Sequence, residues 1–294
     1  MVEMKRGLVL EGGGMRGLYT AGVLDYFMDQ GIEFDYCIGV SAGACHATSY
    51  LSKQRGRSFR INTAYLEDSR YLGIKNFLKT GSMFGMDFIF DEIPHKLDPF
   101  DYDTFLKTKC EFYAGVTDVA TGKPAYFGLE AMNHDTTVLR ASSAIPVFSP
   151  MVEFRGRKFL DGGTSDPIPV QKALSDGCEK LVIVLTQHRD YVKSPEKFRG
   201  IYKNLYARYP EMVATLDRRY EVYNKSRQLA FQLEKEGKAV VIVPDKPVGL
   251  DRFEKDLRKL RALYEKGYAQ AKAAVQSAGP GFFRPLDHEN VNQG

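Results

Sequence analysis

The stretch GLVLEGGGMRGLYTAGVLDYFMDQGIEFDYCIGVSAG, residues 7–43, holds two apolar runs, each leading into a glycine-built turn. Leu8-Val9-Leu10 leads through Glu11 to Gly12-Gly13-Gly14-Met15-Arg16-Gly17. Tyr36-Cys37-Ile38 leads to Gly39-Val40-Ser41-Ala42-Gly43. Short apolar runs bounded by turn signals read as buried strands. Between them Leu18, Ala21, Leu24 and Met28 recur at helical spacing, which predicts a helix over 16–30 that Gly31 stops. Residues 36–40 read as a second strand and 41–51, rich in small residues, as a second helix. This βαβα opening argues for an α/β fold with a largely parallel sheet covered by helices.

Outward from this stretch the pattern continues. Residues 111–119 read as a strand with 125–129 pairing near it, and 133–143 as a helix closed by the Ile145-Pro146 and Ser149-Pro150 breakers. Phe159-Leu160 leads into a third turn, Asp161-Gly162-Gly163. A short helix over 167–176 and a buried strand over 181–185 follow. Residues 53–110 show only a basic loop, with Arg55, Arg57 and Arg60, and an irregular apolar stretch, 81–90, with Met83, Phe84, Met86, Phe88 and Phe90. Two roles stay open for that stretch: an acyl channel or plain core. A long helix is predicted over 210–236, a strand over 239–243 and an amphipathic helix over 251–275. The stripe Phe253, Leu257, Leu260, Tyr264, Tyr268, Ala271 and Val275 is expected to pack on the sheet. One domain over 1–278 results: a core of about 6–190, a helical insertion at about 195–237, and a closing strand and helix at 239–276. The tail 279–294 is expected to be disordered.

The bulk properties narrow the function classes. A chain of 294 residues, 44% hydrophobic and 27% charged, can bury a sizeable core. A net charge of +4 is too slight to imply nucleic-acid binding. Residues 189–227 are locally basic, with ten Lys/Arg against five Asp/Glu; they and Arg55, Arg57 and Arg60 could approach anionic head groups, while most of them read as solvated helix faces. Cys37, Cys45, Cys110 and Cys178 form no CxxC pair and read as reduced thiols. The N-terminal residues lead into the first strand without an apolar signal region, and no run approaches the roughly 20 residues that span a bilayer. The expectation is a cytoplasmic protein that meets membranes peripherally if at all.

The three turns suit acyl transfer, which needs a nucleophile, a base and donors for a developing oxyanion. Gly39-x-Ser41-x-Gly43 puts Ser41 on a sharp strand–helix turn. The glycine loop offers backbone amides unobstructed by side chains, with those of Gly13, Gly14 and Met15 as oxyanion-hole candidates. Arg16, at a helix start where a cation is unfavourable, suggests an anionic substrate group or a carboxylate partner. Asp161 is the candidate base, its pKa raised by the apolar residues before it. A triad through His188 is the rival, in a small-ester or thioester hydrolase. His46 reads as a packed or supporting group. A rival of another class is a dinucleotide-binding or regulatory protein, because Gly12-x-Gly14-x-x-Gly17 with Asp35 fits that fingerprint. No His/Cys/Asp cluster has metal-ligand spacing, and no cofactor is implied.

At these residues the chain resembles the patatin-like phospholipase family, whose pattern is Gly-Gly-Gly-x-Arg-Gly, then Gly-x-Ser-x-Gly, then Asp-Gly-Gly or Asp-Gly-Ala. The resemblance is to the bacterial branch with a C-terminal helical extension, and is sharp over about 6–52 and 140–186. It implies a three-layer α/β/α sandwich acting on ester-linked acyl groups of lipids. It also implies a Ser–Asp dyad without histidine and no need for calcium. Carried over, Ser41 is the nucleophile, Asp161 the base and Gly12, Gly13, Gly14, Met15, Arg16 and Gly17 the oxyanion loop. Gly39 and Gly43 flank the nucleophile, and Gly162 and Gly163 complete the acid turn.

Overall fold

Strand alternation builds the molecule. In the computed structural model, which describes residues 4–278 and 281–285, the first strand β1 is Arg6–Leu10. Its Leu8 and Leu10 face one hydrophobic cluster, and Val9 faces another. Both faces are therefore dry, as in a sheet covered on each side by helices. The remaining strands are β2 Ile32–Glu33, β3 Tyr36–Val40, β4 Glu111–Asp118, β5 Pro124–Phe127, β6 Val152–Phe154, β7 Arg157–Asp161, β8 Lys180–Val184, β9 Ala239–Ile242 and β10 Arg284–Pro285. The main sheet has eight strands in the order β6-β7-β4-β3-β1-β8-β9, with β5 paired to β4. Its centre is parallel, and β5, β6 and β7 are antiparallel.

One face carries the helices Leu18–Asp29, Ala42–Leu51 and Leu257–Ser277, whose Tyr19, Ala44 and Leu263 join the cluster under Leu8 and Leu10. The other carries Val170–Ser175 and Pro210–Lys235, whose Val170, Tyr223, Ala230 and Leu233 pack beneath Val9 and Ile183. The fold is α/β in three layers, with the C-terminal helices inside the layering. Pro210–Lys235 is part of an outer layer and not an appendage.

Three local expectations change. The stretch after the glycine loop begins as a tight turn, Gly14–Gly17, before the helix proper starts at Leu18. The last helix begins at Leu257, capped by the Asp256 side chain, and residues 251–256 are a loop. That helix packs chiefly on Leu18–Asp29 and also meets the sheet at β9, its Leu263 and Ala271 joining the cluster of Leu8, Val184 and Ile242. The two backbones cross so closely that a Cβ on Gly22 would lie 2.0 Å from Tyr264 O, and one on Gly267 2.0 Å from Tyr19 O. In the tail, residues 281–285 are ordered: β10 pairs antiparallel with β2, and Phe283 packs on Phe27 and Phe34. The rest of 279–294 lies outside the described residues. The segment 53–110, which shows no clear period, folds into short helical pieces, Arg57–Thr63, Ile74–Thr80, Phe88–Leu97 and Tyr102–Leu106.

The sheet brings two distant turns together through β4. At residues 114–115, β4 pairs with both β3 and β5; at 116–117 it pairs with both β5 and β7. A strand has two edges, so β3 and β7 share the edge opposite β5 and meet end to end. Val40 lies opposite Gly115, and Asp161 opposite Val116. The residue after Val40 is Ser41.

Candidate active site

Ser41 is held in a conformation that L residues rarely adopt, with φ 54° and ψ −129°. Strain of this kind persists only where the surroundings enforce it. Here Ser41 N donates to Ser142 Oγ at 2.8 Å, and Ser142 Oγ donates to Gly115 O at 2.6 Å. Cys45 N closes the helix onto Ser41 O at 3.1 Å. The flanking glycines are required by close approach. A Cβ on Gly39 would meet Ala44 N at 2.7 Å, and one on Gly43 would meet Leu10 O at 2.6 Å. The Ser41 side chain therefore stands at the carboxyl end of the sheet, where open α/β sheets place their ligands.

Asp161 ends β7 beside it. Its Oδ1 accepts the Gly163 amide at 2.7 Å, and it lines the polar cavity together with Ser41, whose hydroxyl favours the ionised carboxylate. Burial raises its pKa above the usual carboxylate value. The Ser41 hydroxyl, the Arg219 guanidinium, the Gly163 amide and Arg252 oppose that rise without cancelling it. A buried carboxyl with a raised pKa next to a hydroxyl has the chemistry of a general base.

The glycine loop lies against this pair: a Cβ on Gly12 would touch Ser41 Cβ at 3.0 Å. The amides of Gly13 and Gly14 have no acceptor among the described residues. The Met15 amide does, donating to Arg252 O at 3.2 Å, and the Arg16 amide reaches Gly13 O at 3.3 Å. Met15 therefore drops out as an oxyanion donor. Its side chain instead packs among Leu18, Leu66 and Tyr71. Gly17 sits deeper, against Ala42 and His46. Among the described residues Arg16 has no carboxylate partner, and its buried Nε has no acceptor.

Ser41 stands between two unlike cavities. One, of about 90 Å³, is polar and is lined by Glu11, Gly12, Gly13, Gly14, Asp161 and Gly163 with the side chains of Arg16, Lys193, Arg219 and Arg252. A larger cavity, about 570 Å³, adjoins it and shares Arg16, Asp161, Arg219 and Arg252. The other inner cavity, about 80 Å³, is apolar and is lined by Cys45, Ile61, Phe84, Met86, Ile89, Phe90 and Ile93. A further apolar cavity of about 60 Å³ shares Cys45, Ile61, Ile89 and Phe90 with it. Of the irregular stretch, Phe84, Met86 and Phe90 thus face this lumen, while Met83 and Phe88 pack into core.

Other residues singled out by their sequence context separate from the site or change role. His188 lines neither inner cavity, and its carbonyl accepts Arg227 Nη2 at 2.7 Å. His46 faces the apolar cavity, with burial pushing its pKa down to about 4. Asp35 sits at the opposite end of the strands, where its carboxylate accepts Arg6 N at 2.8 Å. It cannot serve a ribose bound at the glycine loop. Arg55, Arg57 and Arg60 are tied to Asp29 and Asp98. Among the described residues no group of three or more His, Cys, Asp or Glu is arranged to hold a metal, and no helix is long and apolar enough to cross a membrane.

Sequence reading missed Glu11, Ser142, Lys193, Arg219, Tyr223 and Arg252. Glu11 accepts Thr186 N at 2.6 Å and Tyr223 OH at 2.7 Å, binding the loop after β1 to the loop after β8 and to the long helix. Arg219 donates to Gly163 O at 2.7 Å, bracing the acid turn.

A family model described as patatin-like phospholipase matches residues 8–174, and one described as a domain of unknown function (DUF6363) matches 209–280. The chain is 34% identical over 197 residues to the uncharacterized protein YjjU of Escherichia coli (strain K12), covering 65% of this chain and 55% of that one. It is 26% identical over 189 residues to lysophospholipase nte1 of Aspergillus terreus, covering 60% and 12%. It is 24% identical over 184 residues to lysophospholipase NTE1 of Saccharomyces cerevisiae, covering 60% and 10%. The chain therefore spans about half the length of YjjU and a small part of the fungal proteins. Among solved structures, VipD from Legionella pneumophila aligns over 97% of this chain and 68% of its own, with TM-score 0.48 and 13% identity.

Proposed function

The chain belongs to the patatin-like phospholipase family, and from that premise we propose that it is a serine hydrolase of lipid acyl esters working through a Ser41–Asp161 dyad. The observation that carries the proposal is the position of Ser41 between an apolar and a polar cavity, with Asp161 on the polar side. An acyl chain belongs in the first and a leaving alcohol in the second. The Ser41 proton passes to Asp161 as Oγ bonds to the ester carbonyl carbon, and the Gly13 and Gly14 amides receive the oxyanion. The bond to the alcohol oxygen then breaks, and that oxygen takes the proton from Asp161. Water next gives a proton to Asp161 and attacks the acyl carbon. Ser41 leaves with that proton, and a fatty acid is released. The steps need no metal, so turnover is expected to persist in EDTA.

A fluorophosphonate probe tests the nucleophile. Labelling of native protein that disappears in Ser41→Ala is expected, together with fatty-acid release from a lysophospholipid. Absence of both sinks the reading. His188→Ala should keep most of the turnover, because among the described residues no histidine lines the polar cavity. Its complete loss would put a triad in place of the dyad.

Gly14→Ala probes the loop. Gly14 has φ +56°, and an added Cβ would lie 2.6 Å from Arg252 O, so the loop must shift. Losing one oxyanion donor typically lowers kcat by about 100–1,000-fold. Steady-state kinetics on a p-nitrophenyl ester should show a fall of that size, and wild-type kcat would remove Gly14 from the role.

A further inference from the structure

Building on the hydrolase reading, we infer that the two short helices Ile74–Thr80 and Arg199–Leu205 form one face that docks on an anionic lipid surface. Each carries two apolar side chains four residues apart and open to solvent, Ile74 with Leu78 and Ile201 with Leu205. All four are more than half exposed, and Leu78 is 80% exposed. That spacing puts both members of a pair on one side of their helix, and here that side is turned away from the core. Single exposed apolar residues are ordinary, but contiguous ones mark an interaction surface. Contiguity comes from Phe148. Phe77 of the first helix and Phe198 at the start of the second both pack on it, with ring centroids 6.4 and 6.1 Å away. Tyr202 is buried, and Tyr206 OH accepts Val147 N at 3.1 Å, which fixes the second helix to the same segment.

Charge names the occupant. Residues 69–86 and 197–210 contain no Asp or Glu. Lys75, Lys79, Lys197 and Lys203 are exposed there. Lys75, Lys79 and Lys197 have no ion-pair partner among the described residues. By contrast Arg55 is paired with Asp29, Arg57 and Arg60 with Asp98, and Arg189 with Glu234. Apolar side chains that enter the headgroup boundary, with lysines beside them for anionic lipids, are what holds a short helix at a membrane surface. A second copy of the chain fits less well, because a two-fold contact would set these lysines against their own kind. The position also serves the site. Phe148, Phe198 and Phe253 line the cavity of about 570 Å³ that Arg16 and Asp161 line as well. Phe198 belongs both to that lining and, half exposed, to the docking face. A docked molecule thus holds its reactive cavity beside the layer from which an ester is drawn.

Co-sedimentation tests the face, with vesicles of phosphatidylcholine alone or of three parts phosphatidylcholine to one part phosphatidylglycerol. Native protein should bind the mixed vesicles at least about tenfold more tightly than the neutral ones, and less tightly as salt rises. The pair Ile74→Ser and Leu78→Ser, and the pair Ile201→Ser and Leu205→Ser, should each weaken that binding by about tenfold or more, the usual weight of one buried apolar side chain. Lys75→Gln with Lys79→Gln should weaken it by roughly fivefold or more. Arg55→Gln removes a charge outside the face and should leave it unchanged. Turnover of a soluble p-nitrophenyl ester should stay at the wild-type level in all of these variants, which reports an intact fold. Failure of native protein to bind mixed vesicles, binding unmoved by both serine pairs, or an equal loss in Arg55→Gln overturns the proposal. So does a native dimer in lipid-free solution, read by light scattering, that the serine pairs convert to monomer. Binding and turnover are read separately, so the two readings can fail apart. Vesicle binding by a protein that cleaves no ester keeps the docking face and sinks the hydrolase. Ser41-dependent turnover of the soluble ester without vesicle binding does the reverse.

Discussion

Asp161→Asn lowers kcat on a soluble p-nitrophenyl ester by about 10³- to 10⁴-fold, the upper range for loss of a general base. The double variant with Ser41→Ala should be no slower than Ser41→Ala alone, because groups that act as one unit do not contribute additively. The pH profile carries the same signature. Burial raises the Asp161 pKa, so kcat/KM should climb with pH to a plateau through a point above the ordinary carboxylate range. That limb should vanish in Asp161→Asn. Stability should move the other way. A folded-state pKa above the unfolded one favours folding fully below the unfolded pKa, and the benefit is lost as pH rises through the folded value. Once the pH has passed that folded value, the wild-type fold holds an ionised, buried carboxylate. Asparagine cannot ionise and still accepts the Gly163 amide. Its Tm should exceed that of the wild type at pH 8, with the advantage shrinking towards pH 4. Near-wild-type turnover, or a lower Tm at pH 8, would remove Asp161 from the base role.

Gly22→Val destabilises the fold by about 3 kcal/mol, at the severe end for overpacking, because the added atoms meet backbone and not a movable side chain. The Cβ alone would lie 2.0 Å from Tyr264 O and 2.9 Å from Tyr268 N. The helices must separate, and the bond from Tyr264 OH to Asp25 Oδ2, now 2.6 Å, would go with them. A Tm loss of roughly 10 °C is expected for a chain of this size. Gly267→Val should match it, since its Cβ would lie 2.0 Å from Tyr19 O. Gly200→Ala is the control: an added Cβ there meets nothing within 4 Å. Differential scanning calorimetry decides, and equal Tm values for Gly22→Val and Gly200→Ala would refute the close crossing.

The parts of the site legible in the sequence are those where local chemistry and tertiary role coincide. A glycine loop, a serine between glycines and an acid turn each follow an apolar run, and each lies at a strand end. What the sequence does not reveal depends on partners remote in the chain. The Met15 amide looks free until Arg252 O is brought to it. Arg219 and Lys193 sit in a stretch whose net charge says nothing about which face each occupies, and two of its ten cations turn into the site. Arg252 falls within the helix that the apolar stripe predicts, but the Asp256 cap sets the helix start beyond it. Residues 53–110 lack a period because their apolar side chains are divided between core and lumen, as with Phe88 and Phe90. The meeting of β3 and β7 is likewise invisible in sequence, since only the pairing of β4 specifies it.

That meeting makes the machinery modular. Ser41 and Asp161 take their separation from adjacent positions on one strand, so the length of polypeptide between them does not set it. The segments between them can be lengthened or trimmed while Ser41 and Asp161 keep their spacing. A one-residue deletion within β4 has no such latitude. It would turn every side chain beyond it to the opposite face and pull Ser41 and Asp161 apart.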